Sequence, residues 1–144
     1  MQLDDLYRQV IMDHYQHPRN RGELTADAIS VDMRNPSCGD EITLQLQVDD
    51  GIVSDVRFRG AGCSISMASA SMMTEAIKGQ PVAEALAMAQ SFRGMMKGER
   101  VDPDALGELE ALQGVSKFPA RIKCATLAWQ ALERAVDGRN EQEV

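Results

Sequence analysis

The three cysteines of this sequence and one aspartate close to the first of them form a set that can bind a metal ion or take part in thiol chemistry. Cys38 and Asp40 lie two residues apart with Gly39 between them, and Cys63 and Cys124 are the remaining cysteines of the chain. A four-coordinate set of three thiolates and one carboxylate suits zinc or iron–sulfur chemistry and disfavours magnesium and calcium, which prefer oxygen ligands. The spacing also leaves a plainer interpretation open, because free cysteines are often small buried hydrophobic residues.

The charge of such a cluster requires cations nearby, since three thiolates and a carboxylate carry more negative charge than one Zn²⁺ offsets. Arg121 and Lys123 lie three and one residues before Cys124, so they can supply this compensation. The alternative is an ordinary basic rim at a helix start, although the helix dipole disfavours positive charge there. We therefore expect Arg121 and Lys123 to act at the site.

The first element that positions these residues is a predicted amphipathic helix over residues 3–15, where apolar side chains recur at helical spacing. His17-Pro18 ends it, because the residue before a proline is disfavoured in helical angles. His14 lies near the same end. A histidine there more often caps the helix or interacts with its dipole than binds a metal, so neither His14 nor His17 is included in the predicted ligand set.

Three strands are predicted between this helix and Cys63. Residues 29–34 and 42–49 alternate apolar and polar side chains, and Asp50-Gly51 is a hairpin turn signal before a third strand. The side chains of that strand that we expect on one face are Ile52, Val56 and Phe58. The pattern indicates an antiparallel meander with one packed face, and it places the Cys-Gly-Asp turn between the first two strands.

Helices are predicted for the rest of the chain. One covers about residues 65–78, with Ser64 or Ser66 as its cap and Gly79 as its stop signal, which leaves Cys63 at an N-terminus that favours thiolate. Pro81 opens the next helix. Asp102-Pro103 opens a short one that Gly114 ends, and residues 94–117 are expected to be the least ordered part of the chain.

The last predicted helix runs from Pro119 to Gly138 with Cys124 on its apolar stripe, and the charged residues 139–144 are expected to fray. Together the elements predict an α+β fold, with a three-stranded antiparallel sheet packed against an N-terminal helix and several C-terminal helices. At 144 residues the chain is most simply one domain, residues 1–144, large enough to bury a core without a metal.

Composition narrows the possible functions. A net charge of −7 argues against nucleic-acid binding, which needs a basic face. No apolar run approaches the ~20 residues of a membrane span, and residues 1–5 lack the start of a signal peptide, so we expect a cytoplasmic protein without a membrane partner. Three cysteines, an odd number in a reducing compartment, favour metal or thiol chemistry over a disulfide framework.

Three segments of the sequence resemble, in combination, the signature of the U-type iron–sulfur cluster assembly proteins. They are Asn-Pro-Ser-Cys-Gly-Asp at 35–40, Gly-Ala-Gly-Cys-Ser-Ile-Ser at 60–66 and Phe-Pro-Ala-Arg-Ile-Lys-Cys-Ala at 118–125. The opening residues 6–22 resemble the family's N-terminus too, so the resemblance covers about residues 3–137.

Within this family the sequence resembles the SufU branch more than the IscU branch. IscU-like scaffolds carry a histidine immediately before the last cysteine and a Leu-Pro-Pro-Val-Lys segment for a dedicated chaperone. This chain has Lys123 at the histidine position, lacks that segment and has extra sequence at about residues 94–115. All three departures are typical of the SufU branch.

The resemblance implies a zinc-dependent sulfurtransferase, an activator of its partner enzyme, whose Cys38 accepts persulfide sulfur from a SufS-type cysteine desulfurase. The sulfur then passes to downstream iron–sulfur assembly proteins, and Arg121 acts near the site. The zinc ligands that it implies are Cys38, Asp40, Cys63 and Cys124.

Two other interpretations remain. The same four ligands can hold a [2Fe–2S] cluster on a scaffold for de novo assembly, although Lys123 cannot ligate while protonated. The second is a structural zinc module that only binds partners. The size of the core argues against it, because a core of this size should fold without a metal.

Overall fold

The computed structural model of the chain describes residues 3–24, 28–35, 39–100 and 102–143. The elements in chain order are α1 (Leu3–Gln16), β1 (Ile29–Asn35), β2 (Asp40–Asp49), β3 (Ile52–Ala61), α2 (Ser64–Ile77), α3 (Val82–Met96), α4 (Pro103–Leu106), a 3-10 helix (Gly107–Lys117) and α5 (Pro119–Glu143). None of the helices in these ranges combines the length and the apolar character that a bilayer span requires.

The three strands form one antiparallel sheet in the order β1-β2-β3, which confirms the predicted α+β fold. Asn35 pairs with Asp40 where β1 and β2 meet. β2 and β3 are joined by Asp50 and Gly51, whose φ angles of 52° and 77° are those of a two-residue hairpin turn. The sheet therefore brings the end of β1 and the start of β2 to the edge that the site uses.

A bulge in β3 changes which side chain of the third strand is buried. The β2–β3 pairing shifts register between Gln47 and Val48, so Ser54 is an extra residue in β3 and the alternation of faces moves by one position. As a result Val53 is buried, while Ile52 is 42% exposed and was predicted wrongly. Beyond the bulge the predicted face is confirmed for Val56 and Phe58.

The helices pack in two layers on one face of the sheet. α5 lies on β1 and β2, α2 lies on β3, and the two helices pack against each other. α1 contacts α2 and the 3-10 helix, and α3 contacts α5 and the 3-10 helix. α2 is therefore the central helix, and every side chain from Ser66 to Thr74 is buried. Its serines and alanines allow neighbouring helices to lie close on several sides.

Some helix boundaries differ from the prediction. Cys63, and neither of the two serines that follow, occupies the N-cap position of α2. The 3-10 helix continues through Gly114 to Lys117, and Gly114 does not have the positive φ that typically ends a helix. α5 likewise continues past Gly138 to Glu143, because one glycine within a helix costs only about 1 kcal/mol.

The segment predicted to be least ordered forms part of the core. α4 and the 3-10 helix present four apolar side chains to the interior, and each is at most 6% exposed. These side chains are Leu106, Leu109, Leu112 and Val115. Their spacing of three residues matches the three-residue repeat of a 3-10 helix, which places them on one face.

His14 lies in the last turn of α1, and its side chain links three helices. Its side chain is only 3% exposed. Nδ1 lies 2.8 Å from the Ser71 hydroxyl of α2, and Nε2 lies 2.8 Å from Oε1 of Glu108 in the 3-10 helix. The backbone amide of Arg19 also donates to the Ser71 hydroxyl, at 2.9 Å. His14 is thus a buried polar link between α1, α2 and the 3-10 helix.

Candidate metal centre

Three side chains with metal-binding atoms meet at one edge of the sheet. Asp40 is the first residue of β2, Cys63 is the N-cap of α2, and Cys124 lies in the second turn of α5. The carboxylate oxygen and the two sulfur atoms all lie within 4.8 Å of one another, with Asp40 and Cys124 buried and Cys63 half-buried. Within the described ranges, no other three histidine, cysteine or acidic side chains come so close.

The sheet register explains why Asp40 meets Cys63. Glu41 pairs with Ala61, so the start of β2 lies beside the end of β3, two residues before Cys63. The backbone amide of Cys63 donates a hydrogen bond to Asp40 Oδ1 at 2.8 Å, and the Cys63 sulfur lies 3.8 Å from Oδ2. A carboxylate at this end of α2 is also favoured by the helix dipole.

Two glycines make room for this contact. Gly60 has φ of +154°, and a Cβ there would overlap the Glu41 carbonyl oxygen and lie 3.0 Å from the Cα of Ile42. A Cβ on Gly62 would overlap the Asp40 carboxylate and lie 2.7 Å from the Ser66 hydroxyl. Real Cβ atoms do not approach other heavy atoms this closely. The Gly-Ala-Gly sequence before Cys63 is therefore what lets the carboxylate reach the Cys63 amide.

Buried serines of α2 support both cysteines, and the sequence analysis did not include them in the site. The Ser66 hydroxyl donates to the Cys63 carbonyl at 3.0 Å and lies 3.7 Å from the Cys63 sulfur. The Ser69 hydroxyl donates to the carbonyl of Ala125, the residue after Cys124, at 2.6 Å. A three-residue spacing places these hydroxyls on one face of α2, and that spacing in the sequence is the signal that could have identified them.

The predicted fourth ligand, Cys38, lies outside the described residues. The residues on either side of the gap are described: Gly39 is exposed with φ of +71°, and its amide donates to the Asn35 carbonyl at 2.9 Å. Glycine suits this left-handed backbone. The assignment of Cys38 as ligand and sulfur acceptor stays a prediction.

The predicted cations lie at the start of α5. Arg121 and Lys123 are both exposed, and the amide of Arg121 donates to the Phe118 carbonyl at 2.8 Å in the first turn. Arg121 precedes the buried Cys124 by about one turn, so the chain passes from an exposed cation to a buried thiol within that turn. The roles of both cations at the site stay predictions.

The spacing of the ligand atoms fits a zinc ion. Two atoms bound to one tetrahedral zinc, with Zn–S of about 2.3 Å and Zn–O of about 2.1 Å, are roughly 3.6 Å apart. The Cys63 sulfur and Asp40 Oδ2 are separated by 3.8 Å, and the Cys124 sulfur lies within the same cluster. Two thiolates and a carboxylate form a donor set that zinc accepts and that leaves one tetrahedral position for a further ligand.

The fold and the site define a small α+β protein with a thiol–carboxylate cluster that is close enough to hold a metal. Residues 6–142 match the family model of the NifU-like N-terminal domain. The chain belongs to this family.

Named relatives share most of the chain. The zinc-dependent sulfurtransferase SufU of Bacillus subtilis is 63% identical, over 93% of this chain and 91% of that protein. The iron–sulfur cluster assembly scaffold protein IscU of Streptococcus pyogenes is 47% identical, over 93% of this chain and 84% of its own length. A crystal structure of a proposed iron–sulfur cluster assembly scaffold for the SUF system from Fervidobacterium islandicum is 37% identical, with a TM-score of 0.83 over 87% of this chain and 92% of that one.

Proposed function

We propose that this chain, folded as a single domain, is a zinc-dependent sulfurtransferase that accepts persulfide sulfur from a SufS-type cysteine desulfurase. The sulfur is then relayed to iron–sulfur cluster assembly. The observation that carries the proposal is the convergence of Asp40, Cys63 and Cys124 within 4.8 Å, with a third cysteine two residues before Asp40. The B. subtilis relative, 63% identical, is named for this activity.

The proposed zinc ligands are Cys38, Asp40, Cys63 and Cys124. When bound, zinc keeps coordinated cysteines in the thiolate form and limits their reactivity. The protein contributes a fixed arrangement, because the Cys63 amide holds the Asp40 carboxylate and the Ser69 hydroxyl holds the backbone beside Cys124. Such supporting contacts orient ligands and tune a metal site.

Cys38 is the proposed sulfur acceptor. Cys124 is fully buried, so a partner's persulfide cannot reach it, and Cys63 is fixed as the N-cap of α2. Cys38 immediately precedes Gly39, which is exposed. The Cys38 thiolate attacks the outer sulfur of the donor persulfide, a new S–S bond forms on Cys38, and the donor's cysteine sulfur leaves as a thiolate. No oxidant or reductant is consumed in this exchange.

Arg121 has the proposed role of a cation near the transferred sulfur. It is exposed one turn before Cys124, and a persulfide anion approaching the site carries negative charge. Lys123 contributes to the same positive field. Both cations also compensate an anionic ligand set, which is the role expected of them from the sequence.

The alternative function is a scaffold on which a [2Fe–2S] cluster is assembled by the same ligands. The relative from S. pyogenes, 47% identical, carries a scaffold name. Lys123 immediately before Cys124 argues for the sulfurtransferase, because a protonated lysine cannot serve as a ligand.

Metal analysis and persulfide mapping test the proposal together. Protein purified without added metal should hold close to one zinc per chain and should stimulate a SufS-type desulfurase. After incubation with the desulfurase and its cysteine substrate, mass spectrometry should find the extra sulfur on Cys38. Cys38→Ala should abolish both the stimulation of the desulfurase and the appearance of the extra sulfur. A brown anaerobic protein without zinc favours the scaffold, and an extra sulfur on Cys63 refutes the acceptor assignment.

A further inference from the structure

An apolar groove of about 440 Å³ borders the metal centre. α1 forms one wall, the 3-10 helix and Phe118 form the other, and the first turn of α2 closes one end. The apolar side chains that line it include Tyr7, Ile11, Met12, Ile65, Val115 and Phe118. The extra sequence at about residues 94–115, which precedes the last cysteine, thus contributes to one wall of this groove.

The groove concentrates exposed apolar surface. Within the described ranges, four large hydrophobic side chains are at least 36% exposed, and two of them, Met12 at 36% and Phe118 at 62%, line the groove. Tyr15, a third, lies one turn after Met12 on α1 and is 42% exposed. An exposed aromatic residue beside an apolar groove is typical of a protein-docking surface.

The charge around the groove is positive on an acidic protein. Arg8 and Lys117 line it, and none of its lining residues is acidic. Arg121 and Lys123 are exposed on the first turns of α5, immediately after Phe118. The net charge of the whole chain is −7, so this positive patch differs in sign from the average charge of the surface. Complementary charge selects an acidic partner and speeds its approach.

The groove is continuous with the thiol site. Ser64 and Ile65, which line it, are the first two residues of α2 and directly follow Cys63. Phe118 directly precedes α5, the helix that holds Cys124. A chain segment lying in the groove is therefore held beside the cysteines, which is where a sulfur donor must present its persulfide.

We propose that this groove receives an acidic segment of the sulfur-donating protein, anchored by one apolar side chain that packs against Phe118 and Met12. The inference rests on the proposed function, and it adds where the donor binds and what chemistry its binding segment has. Arg8 and Lys117 pair with the acidic side chains of that segment. The contact brings the persulfide to the site without using a metal ligand.

Binding of a SufS-type cysteine desulfurase to zinc-loaded protein tests this, with calorimetry for the dissociation constant and sulfide release for stimulation. Phe118→Ser and Met12→Ser remove the anchor from opposite walls, and Lys117→Glu reverses the charge. The matched controls are Ile52→Ser, an exposed apolar residue on the hairpin, and Lys97→Glu, an exposed lysine at the end of α3. Zinc content and circular dichroism verify that each variant is folded.

We expect each groove variant to weaken desulfurase binding at least tenfold, while the controls change it less than twofold. Stimulation should recover at saturating concentrations of the groove variants, because no ligand is lost. Binding of the parent protein should weaken as salt rises, and less steeply for Lys117→Glu.

Unchanged binding in both Phe118→Ser and Met12→Ser overturns the groove while leaving the proposed function intact. A parent protein that neither binds nor stimulates the desulfurase refutes the proposed function itself. Analytical sedimentation of the parent protein and of Phe118→Ser measures their oligomeric state. A parent dimer that Phe118→Ser converts to a monomer shows that a second copy of the chain occupies the groove, which also overturns the proposed occupant.

Discussion

The Asp40 carboxylate contacts Cys63 in two ways: Oδ1 accepts a hydrogen bond from the Cys63 amide at 2.8 Å, and Oδ2 lies 3.8 Å from the Cys63 sulfur. One carboxylate thus fixes the N-terminus of α2 and also presents an oxygen to the metal centre. α2 has no side-chain cap from its own N-cap residue, so the capping role is taken by a residue from β2. The proposed role of Asp40 as a metal ligand therefore couples metal binding to the start of the central helix.

Two substitutions of Asp40 should separate these roles. Asp40→Asn keeps an oxygen that accepts from the Cys63 amide but loses the charge, so zinc affinity should fall at least tenfold with little change in stability. Asp40→Ala also leaves the amide without its partner, which should cost about 1.5–3 kcal/mol of unfolding free energy. Chelator competition and urea unfolding of the zinc-free proteins measure the two quantities. Unchanged zinc affinity in Asp40→Ala removes Asp40 from the site.

Gly62→Ala should damage the site more than the fold. The new Cβ would overlap the Asp40 carboxylate, and relief of such overpacking typically costs about 1–3 kcal/mol. Because the displaced group is a proposed ligand, we expect weaker zinc retention under chelator challenge. Gly114→Ala is the matched control, since its Cβ meets nothing within 4 Å. Equal zinc retention in the two variants contradicts the role given to Gly62.

Local patterns in the sequence predicted the strands and most of the helices, whereas the ligand set came from the resemblance to a known family and stays a prediction. The local patterns failed where distant residues decide. Alternation predicted the strands, but the bulge at Ser54 that exposes Ile52 depends on how β3 pairs with β2. Cys124 was placed on the core side by the apolar stripe of its helix, and it is fully buried. The contact of Asp40 with the Cys63 amide joins residues 23 positions apart, which no local pattern encodes.

His14 is a second case in which residues distant in the sequence decide the role of a side chain. Its position near the end of α1 predicted a cap or an interaction with the helix dipole, and the local sequence does not reveal Ser71 or Glu108, 57 and 94 positions away. Residues 94–117 were expected to be the least ordered part of the chain, yet Leu109 and Leu112 of the 3-10 helix are buried. Burial against α1 and α3 decides the outcome there, and tertiary packing routinely overrides local propensity.

His14→Ala should destabilise the protein through the groups that it leaves behind. The buried Ser71 hydroxyl loses one partner and Glu108 loses its contact with α1, so we expect a loss of about 1–3 kcal/mol in unfolding free energy. His17→Ala, at an exposed position in the same segment, is the control and should change stability by less than about 0.5 kcal/mol. Urea unfolding monitored by circular dichroism measures both. Equal stabilities would show that the His14 link contributes nothing.

Removal of zinc distinguishes a functional metal centre from a structural one. The core extends from the sheet through α2 and α5 to the 3-10 helix, and none of the buried apolar side chains that build it is a proposed metal ligand. A domain of this size does not need a metal to fold, so dialysis against a strong chelator should leave the far-ultraviolet circular dichroism unchanged. We expect a lower melting temperature, because a ligand that binds only the native state stabilises it.

Stimulation of the desulfurase should disappear when zinc is removed and return when one equivalent of zinc is added. If the chain unfolds when zinc is removed, the centre is structural, and a transfer role for its cysteines loses its main support.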